Sequence, residues 1–387
     1  MPTILILMSD TGGGHRASAQ ALQAGFTQRY GDRFRVEIVD LWKSYTPWPM
    51  NRLPNSYSPL VNRGIAFWKF IWFVSEKPTL TEPVLATAER VVRRTVRRMF
   101  HQYRPDLVIS VHPLLSKIPE LVLHLERPDV PCVTVITDLG TITPMWFHRG
   151  VDRCFVPTQA AYEAGLRQGL TPQQLKVCGL PVRPAFARAP RDKTEVRSEL
   201  ELDPDRLTAL IVGGGEGMGP VAKIVEAAAR RLSADGRNAQ LVVICGRNEK
   251  LRANLSSRAW PLPVRVLGFV DNMPDWMAAA DCIVTKAGPG TIAEAMISGL
   301  PSLLSGYIPG QETGNIPFVV ESGAGAFNED PAQIAAILSH WFGPQQHKLA
   351  EMAAVAKSLG RPQSTIDIVE RLRRWCVMRS WLRIPIA

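Results

Sequence analysis

No apolar run in these 387 residues reaches the ~18 positions that a helix needs to cross a bilayer. Nor do the six cysteines contain a C-x-x-C pair. The first absence excludes a helical membrane span; the second excludes the commonest zinc and dithiol patterns. Cys132, Cys154, Cys178, Cys245, Cys282 and Cys376 mostly sit in apolar runs, as reduced core residues of a cytosolic protein would. Acidic residues are also scarce, 35 against 45 lysines and arginines, for a formal charge of +10. That balance suits an anionic partner: nucleotide phosphates, nucleic acid or an anionic membrane. No short tandem repeat or low-complexity tract is present, and with a strand starting close to Met1 no leader peptide is expected. What is there is 46% hydrophobic and 21% charged, over more residues than one core usually takes. Two domains are expected.

The hydrophobic pattern fixes their class. Short apolar runs alternate with amphipathic stretches, as in an α/β fold with parallel sheets. Residues 4–8 form the first buried strand and run into Asp10-Thr11-Gly12-Gly13-Gly14-His15-Arg16-Ala17-Ser18. Glycines at a strand-to-helix junction let a ligand approach the backbone, and the helix N-terminus offers free N–H groups. His15 either caps this turn or takes a proton from an incoming hydroxyl. Gly12-x-Gly14-x-x-Ala17 also fits the dinucleotide fingerprint, with Asp40 as the ribose acid. On its first forty residues the chain could be a nicotinamide enzyme.

The proline- and tryptophan-rich residues 41–54 read as a long loop, and residues 64–74 as an aromatic segment suited to a core helix or a membrane interface. Residues 88–100 form an amphipathic helix whose stripe carries Arg90, Arg93, Arg94, Arg97 and Arg98, a solvated face or an anion contact. Further strands end at His112 and Asp138, where open parallel sheets gather ligand residues. Residues 179–191 read as a linker, after which β/α alternation restarts with a second glycine-rich turn at 213–219. The expectation is two Rossmann-like domains facing a central cleft: 1–184 for acceptor and membrane, 185–365 for the nucleotide sugar. A basic helix at 366–387 packs back or touches lipid.

The decisive stretch is Thr285-Lys286-Ala287-Gly288-Pro289-Gly290-Thr291-Ile292-Ala293-Glu294-Ala295. A strand ends, the backbone turns, and a helix begins whose N–H groups can hold a diphosphate. Glu294 can grip a ribose diol with one carboxylate, or simply favour the helix dipole. Residues 309–315 add polar groups able to read sugar hydroxyls. Asp203-Pro204-Asp205 offers the D-x-D of metal-dependent sugar transferases, but without a nearby carboxylate cluster it reads as a turn.

Together with Thr46-Pro47-Trp48-Pro49, Gly179-Leu180-Pro181-Val182-Arg183-Pro184 and residues 213–220, these motifs resemble plant-type monogalactosyldiacylglycerol synthases of glycosyltransferase family 28. More distantly, the chain is similar to processive diacylglycerol glucosyltransferases and to the peptidoglycan lipid-intermediate N-acetylglucosaminyltransferase. The resemblance implies a B-type glycosyltransferase fold with UDP-galactose and diacylglycerol as substrates, no cofactor and no metal. By position, Glu294 would bind ribose, while Gly14, Gly214, Gly215, Gly290 and Thr291 would serve the donor phosphates. Arg183 would neutralise the diphosphate, Phe269 flank the base, and Gln311 and Glu312 grip the hexose. His15 would be the general base, with Asp138 as its orienting partner, and inversion would give a β-galactoside. Positions matching Pro49 and Trp146 are linked in plant relatives to anionic-lipid activation. Trp48, Trp68, Arg94 and Arg97 complete the expected lipid surface.

A UDP-glucose-dependent transferase differs by one sugar hydroxyl, which no residue reports. A UDP-sugar epimerase would share fold and donor site but needs no lipid surface. A nicotinamide enzyme leaves the second nucleotide site unexplained, and a nucleic-acid binder explains neither glycine loop. The expected setting is peripheral, on the cytoplasmic face of a bacterial membrane; oligomeric state stays open.

Overall fold

The computed structural model describes the chain except residues 12, 49, 53, 57–59, 61–63, 76–91, 190, 215–218 and 383–387, and except the side chains of 65, 75 and 377–382. Two compact units result: Met1–Pro184 with Pro309–Gln311 and Pro362–Ala387, and Ala185–Ile308 with Glu312–Arg361.

The first unit is built on a six-stranded sheet in which every pairing is parallel. Its strands are β1 (Thr3–Met8), β2 (Arg35–Asp40), β3 (Leu107–Ser110), β4 (Cys132–Val135), β5 (Arg153–Val156) and β6 (Leu175–Val177), in the order β2-β1-β3-β4-β5-β6. β1 is apolar at nearly every position because both faces are covered. Ile4, Ile6 and Met8 pack on the helix Gly13–Tyr30 through Ala19, Leu22 and Phe26. The same layer takes Ile368, Val369, Leu372 and Cys376 from the C-terminal helix Ser364–Leu382. These helices approach closely at Gly25, where a Cβ would lie 2.7 Å from Thr365 Cγ2. On the other face, Leu5 and Leu7 meet Val92, Val96, Met99 and Phe100 of the helix at 92–103. Arg93, Arg94, Arg97 and Arg98 are exposed on that helix.

The first part of the segment read as a linker, up to Pro184, is anchored in this unit. Val182 N–H donates to Thr365 Oγ1 at 2.9 Å, and Ser364 Oγ donates to the Leu180 carbonyl at 2.5 Å.

The second unit repeats the plan with β7 (Leu207–Val212), β8 (Ala239–Ile244), β9 (Val264–Leu267), β10 (Cys282–Thr285), β11 (Ser302–Leu304) and β12 (Gly325–Phe327). Their order is β12-β11-β10-β7-β8-β9, again parallel throughout. In both sheets the chain reverses its direction of travel beside the first strand, between β1 and β3 and between β7 and β10. Such switch points open a crevice at the strands' carboxyl ends, where ligands bind. His15 and His112 flank the first, Gly214 and Lys286 the second.

All six cysteines are buried and unbridged, and burial raises the pKa of every thiol. None has the electropositive, accessible setting of a nucleophile.

Candidate active site

At the first switch point, the helix Gly13–Tyr30 starts directly after the glycine loop and carries His15 in its first turn. A Cβ at Gly13 or Gly14 would meet nothing within 4 Å, so this part of the loop faces open space. Arg16 clamps Asp10 through two 2.6 Å hydrogen bonds, fixing the helix to the end of β1. Asp40 is buried, accepts from Asp10 N–H at 3.1 Å and caps the next helix through Lys43 N–H at 3.0 Å. The carboxylate that a dinucleotide reading needs for ribose is therefore already used by the backbone.

His15 is buried at 6% exposure, and its Nδ1 lies 2.9 Å from both the Val111 carbonyl and Thr137 Oγ1. A carbonyl can only accept, so Nδ1 carries the proton and Nε2 holds the lone pair. Burial pushes the pKa of the ring down to about 4, although the Val111 carbonyl offsets part of that. His15 is thus a neutral base near pH 7. The His112 ring lies 4.5 Å away between centroids, with its pKa held well below the ordinary value by burial and by His15.

Asp138 does not orient this ring as expected. It is buried and accepts from Trp146 Nε1 at 2.6 Å, while the neighbouring Thr137 faces His15. Trp146 is correspondingly no lipid contact: it is fully buried, its one polar atom satisfied by that carboxylate, and its ring lies 6.2 Å from His15. Trp68 also turns inward, at 8% exposure, because its indole N–H donates to the Pro309 carbonyl at 2.9 Å. Trp72 covers Gly310, where φ is +82° and a Cβ would strike the indole at 2.4 Å. The opposite face of the helix Ile65–Ser75 exposes Phe67, Phe70 and Phe73. Trp48 is 72% exposed, and Pro49 lies outside the described residues. Arg94 is exposed; Arg97 is too, but it pairs with Glu126 at 2.7 Å, an acid supplied by another helix.

At the second switch point, β10 ends at Thr285 and Gly288 leads into the helix Pro289–Ser298, whose N-terminus no side chain caps. Ile292, Ala295 and Met296 are buried, which leaves Gly290, Thr291 and Glu294 together on the opposite face. Gly290 is exposed, with nothing within 4 Å of a Cβ; Thr291 and Glu294 are half-buried. Gly214 adopts φ +70° at the end of β7, while Gly215 lies outside the described residues. Phe269 is 56% exposed with the Arg247 guanidinium 5.0 Å from its ring centre, a flat surface backed by a cation. Arg183 and Gln311 are half-buried, both in the first unit.

Glu312 was expected to grip the hexose. It is buried, one oxygen bound by Lys286 Nζ and the other accepting from Ile308 N–H at 2.9 Å. Its immediate partner is therefore a lysine. The residue missed from sequence is Lys286, whose Nζ would lie 3.2 Å from a Cβ at Gly288 and whose Cε would lie 3.9 Å from one at Gly214. A cation at a strand's carboxyl end, next to a Gly-Pro-Gly turn, was the available signal. Thr11, Thr137 and Arg247 were missed likewise. Asp203, in the D-x-D, accepts from Asp205 N–H and Arg206 and so closes its own turn. Among the described residues, no cluster of three or more His, Cys, Asp or Glu could hold a metal ion.

Comparison with known proteins agrees with both halves. Residues 15–182 match the family model for monogalactosyldiacylglycerol (MGDG) synthase, and 208–329 the glycosyltransferase family 28 C-terminal domain. Among solved structures, Acinetobacter baumannii MurG superposes with a TM-score of 0.60 over 96% of this chain and 100% of its own, at 18% identity. A UDP-GlcNAc 2-epimerase from Neisseria meningitidis gives 0.60 over 97% and 100%, at 15% identity. At that distance both speak for the shared B-type fold alone. A probable MGDG synthase of Glycine max is 46% identical over 98% of this chain and 72% of its own length. MGDG synthase 1 of Arabidopsis thaliana is 46% identical over 95% and 69%. These relatives are chloroplastic plant enzymes, which overturns the expectation of a bacterial protein on a cytoplasmic face. Among the described residues, no helix is long and apolar enough to cross a membrane. Identity of 46% over 95–98% of its length makes this chain a member of the monogalactosyldiacylglycerol synthase family.

Proposed function

We propose that this chain transfers galactose from UDP-galactose to the sn-3 hydroxyl of 1,2-diacylglycerol, inverting the anomeric centre to give β-monogalactosyldiacylglycerol. The tautomer of His15 carries the reading: a carbonyl at Nδ1 leaves a neutral ring with its lone pair at Nε2. Nε2 takes the hydroxyl proton as the acceptor oxygen bonds to the anomeric carbon. The bond from that carbon to UDP breaks, and UDP leaves with the electron pair. The groups that meet its charge are the N-terminus of Pro289–Ser298, Lys286 and Arg183. Glu294 holds the ribose, Phe269 flanks the base, and Gln311 reads the hexose. Glu312, with both oxygens engaged, aims Lys286. UDP-galactose is a substrate, and this chemistry calls on no cofactor.

The test is incubation with diacylglycerol vesicles and either UDP-galactose or UDP-glucose, with the product identified by sugar and anomer. β-Galactolipid from UDP-galactose is the expected result. A glucolipid would move the chain to the neighbouring transferase specificity, and free sugar epimerisation without lipid product would overturn the reading.

Diacylglycerol is insoluble, so the enzyme must meet it at a bilayer surface. The candidate contacts are Trp48, Phe67, Phe70 and Phe73 as headgroup-depth aromatics, with Arg93, Arg94 and Arg98 facing anionic lipid. Each such cation contributes ~1 kcal/mol near an anionic surface. Attraction of this kind weakens as the Debye length shrinks from about 10 Å at 0.1 M salt to about 3 Å at 1 M. Sedimentation with phosphatidylglycerol vesicles should exceed that with neutral vesicles and fall with salt. Changing Arg93, Arg94 and Arg98 to Gln should lower it while UDP affinity holds. Equal, salt-insensitive sedimentation of both proteins would return that helix to a solvated face.

A further inference from the structure

His112 has no part in the transfer as drawn, yet its hydrogen bonds have a fixed direction. Its Nδ1 accepts from Leu114 N–H at 3.2 Å, and a backbone N–H can only donate. The ring is 3% exposed, where a charge would be costly, so it is neutral and its one proton sits on Nε2. That Nε2–H donates to Thr11 Oγ1 at 2.9 Å. The Thr11 oxygen thus has a lone pair occupied, and its own O–H must point elsewhere. Among the described residues it meets no acceptor. Thr11 sits at the mouth of the glycine loop, and the ring that fixes it lies against His15.

A hydroxyl substrate must do two things here: give its proton to His15 Nε2 and hold its oxygen still while it attacks. The lone pair of His15 meets the first need, and an O–H held by the ring that lies against His15 meets the second. We propose that Thr11 places the acceptor hydroxyl against His15 by donating a hydrogen bond to its oxygen, with His112 as the positioning residue that sets the direction of the Thr11 O–H. Two backbone groups of β3's exit, the Val111 carbonyl and the Leu114 N–H, fix both imidazole tautomers in opposite senses. One ring is thereby left as an acceptor and the other as a donor. This inference rests on the reading of His15 as the base of the transfer. Water fits the same pair of groups, so a loosened acceptor should let water compete for the sugar.

The test uses the full chain with diacylglycerol vesicles and UDP-galactose, scoring galactolipid against free galactose. Thr11→Val and Thr11→Ala should lower kcat/KM for diacylglycerol by roughly tenfold to 10²-fold, the range a misplaced reactant costs. Both should raise the share of donor lost to hydrolysis, and unchanged UDP binding by calorimetry will show that they fold. Thr11→Ser, which keeps the O–H, should come back to within about threefold of the unmodified chain, the scale of a weakened neutral hydrogen bond. His112→Phe should reproduce the Thr11→Val defect, and the double variant should cost no more than the worse single one, as expected for groups acting as a unit. Transfer by Thr11→Val and Thr11→Ala at the unmodified rate, with the same hydrolysis share, would overturn the inference. So would a double variant whose losses multiply. An unmodified chain that binds UDP but makes no galactolipid would instead overturn the reading of the reaction beneath it.

Discussion

His15→Ala should lower kcat/KM by roughly 10²–10⁴, the usual loss when a general base is removed, while UDP affinity stays intact. The ring lies in the first unit, whereas Glu294, Phe269 and Lys286, proposed to hold the nucleotide, lie in the second, so loss of the base should leave their contacts in place. The pH profile makes the expectation sharper. A solvated imidazole would stop acting as a base below its ordinary value of 6.5, but burial holds His15 down to about 4. The proton-free form therefore persists across pH 5–7, and the acid limb of kcat/KM should appear near 4. Of the groups facing the ring, His112 has its own pKa depressed and stays neutral over the same span, so it adds no second limb. Stability follows the same linkage in sign. The unfolded chain takes up these two protons near pH 6.5 and the folded chain does not, so stability present above 6.5 is lost as pH falls toward 4. Near-normal turnover in His15→Ala would remove it as the base. An acid limb at 6.5 would place the ring in water.

Much of this arrangement was legible because parallel sheets leave a strong mark. A strand covered on both faces, such as β1, must be apolar at almost every position, and a glycine loop after it marks a ligand-binding strand end. His15, Glu294 and the helix Pro289–Ser298 followed from that logic. The partners of individual side chains did not, because a residue's orientation at a strand end depends on contacts distant in sequence. Thr137 and Asp138 are adjacent beyond β4, yet one meets His15 and the other Trp146. Nothing local decides which. Tryptophan is ambiguous for another reason: an indole suits a membrane interface or a core equally well, and a buried acceptor settles the choice. For Trp146 that acceptor is Asp138 and for Trp68 the Pro309 carbonyl, the latter 241 positions away. Arg97 looked unopposed on its own helix because Glu126 comes from another. Lys286 and Glu312 were each visible in a motif, but their pairing across 26 positions needed the fold.

Glu294→Ala should weaken UDP binding by roughly 10²-fold or more with the fold retained. A carboxylate gripping both ribose hydroxyls makes two charge-assisted hydrogen bonds, each about 1.5–3 kcal/mol, and about 1.4 kcal/mol is tenfold in affinity. The helix supports the assignment. Its buried stripe of Ile292, Ala295 and Met296 turns Glu294 to the side shared by Gly290 and Thr291, one turn from an N-terminus that no side chain caps. A diphosphate at that N-terminus puts a ribose within reach of the next turn. Alanine is the best helix former, so the substitution leaves the backbone in place. The competing role, an acid that merely favours the helix dipole, contributes about 0.3–1 kcal/mol to stability and nothing to binding. Calorimetry with UDP and with 2′-deoxy-UDP separates the two. The unmodified chain should prefer the ribose form by roughly tenfold or more, the value of one charged hydrogen bond. Glu294→Ala should bind both ligands weakly and alike. If it instead keeps the full preference for ribose and only loses some thermal stability, Glu294 is a dipole acid and the ribose is held by another group.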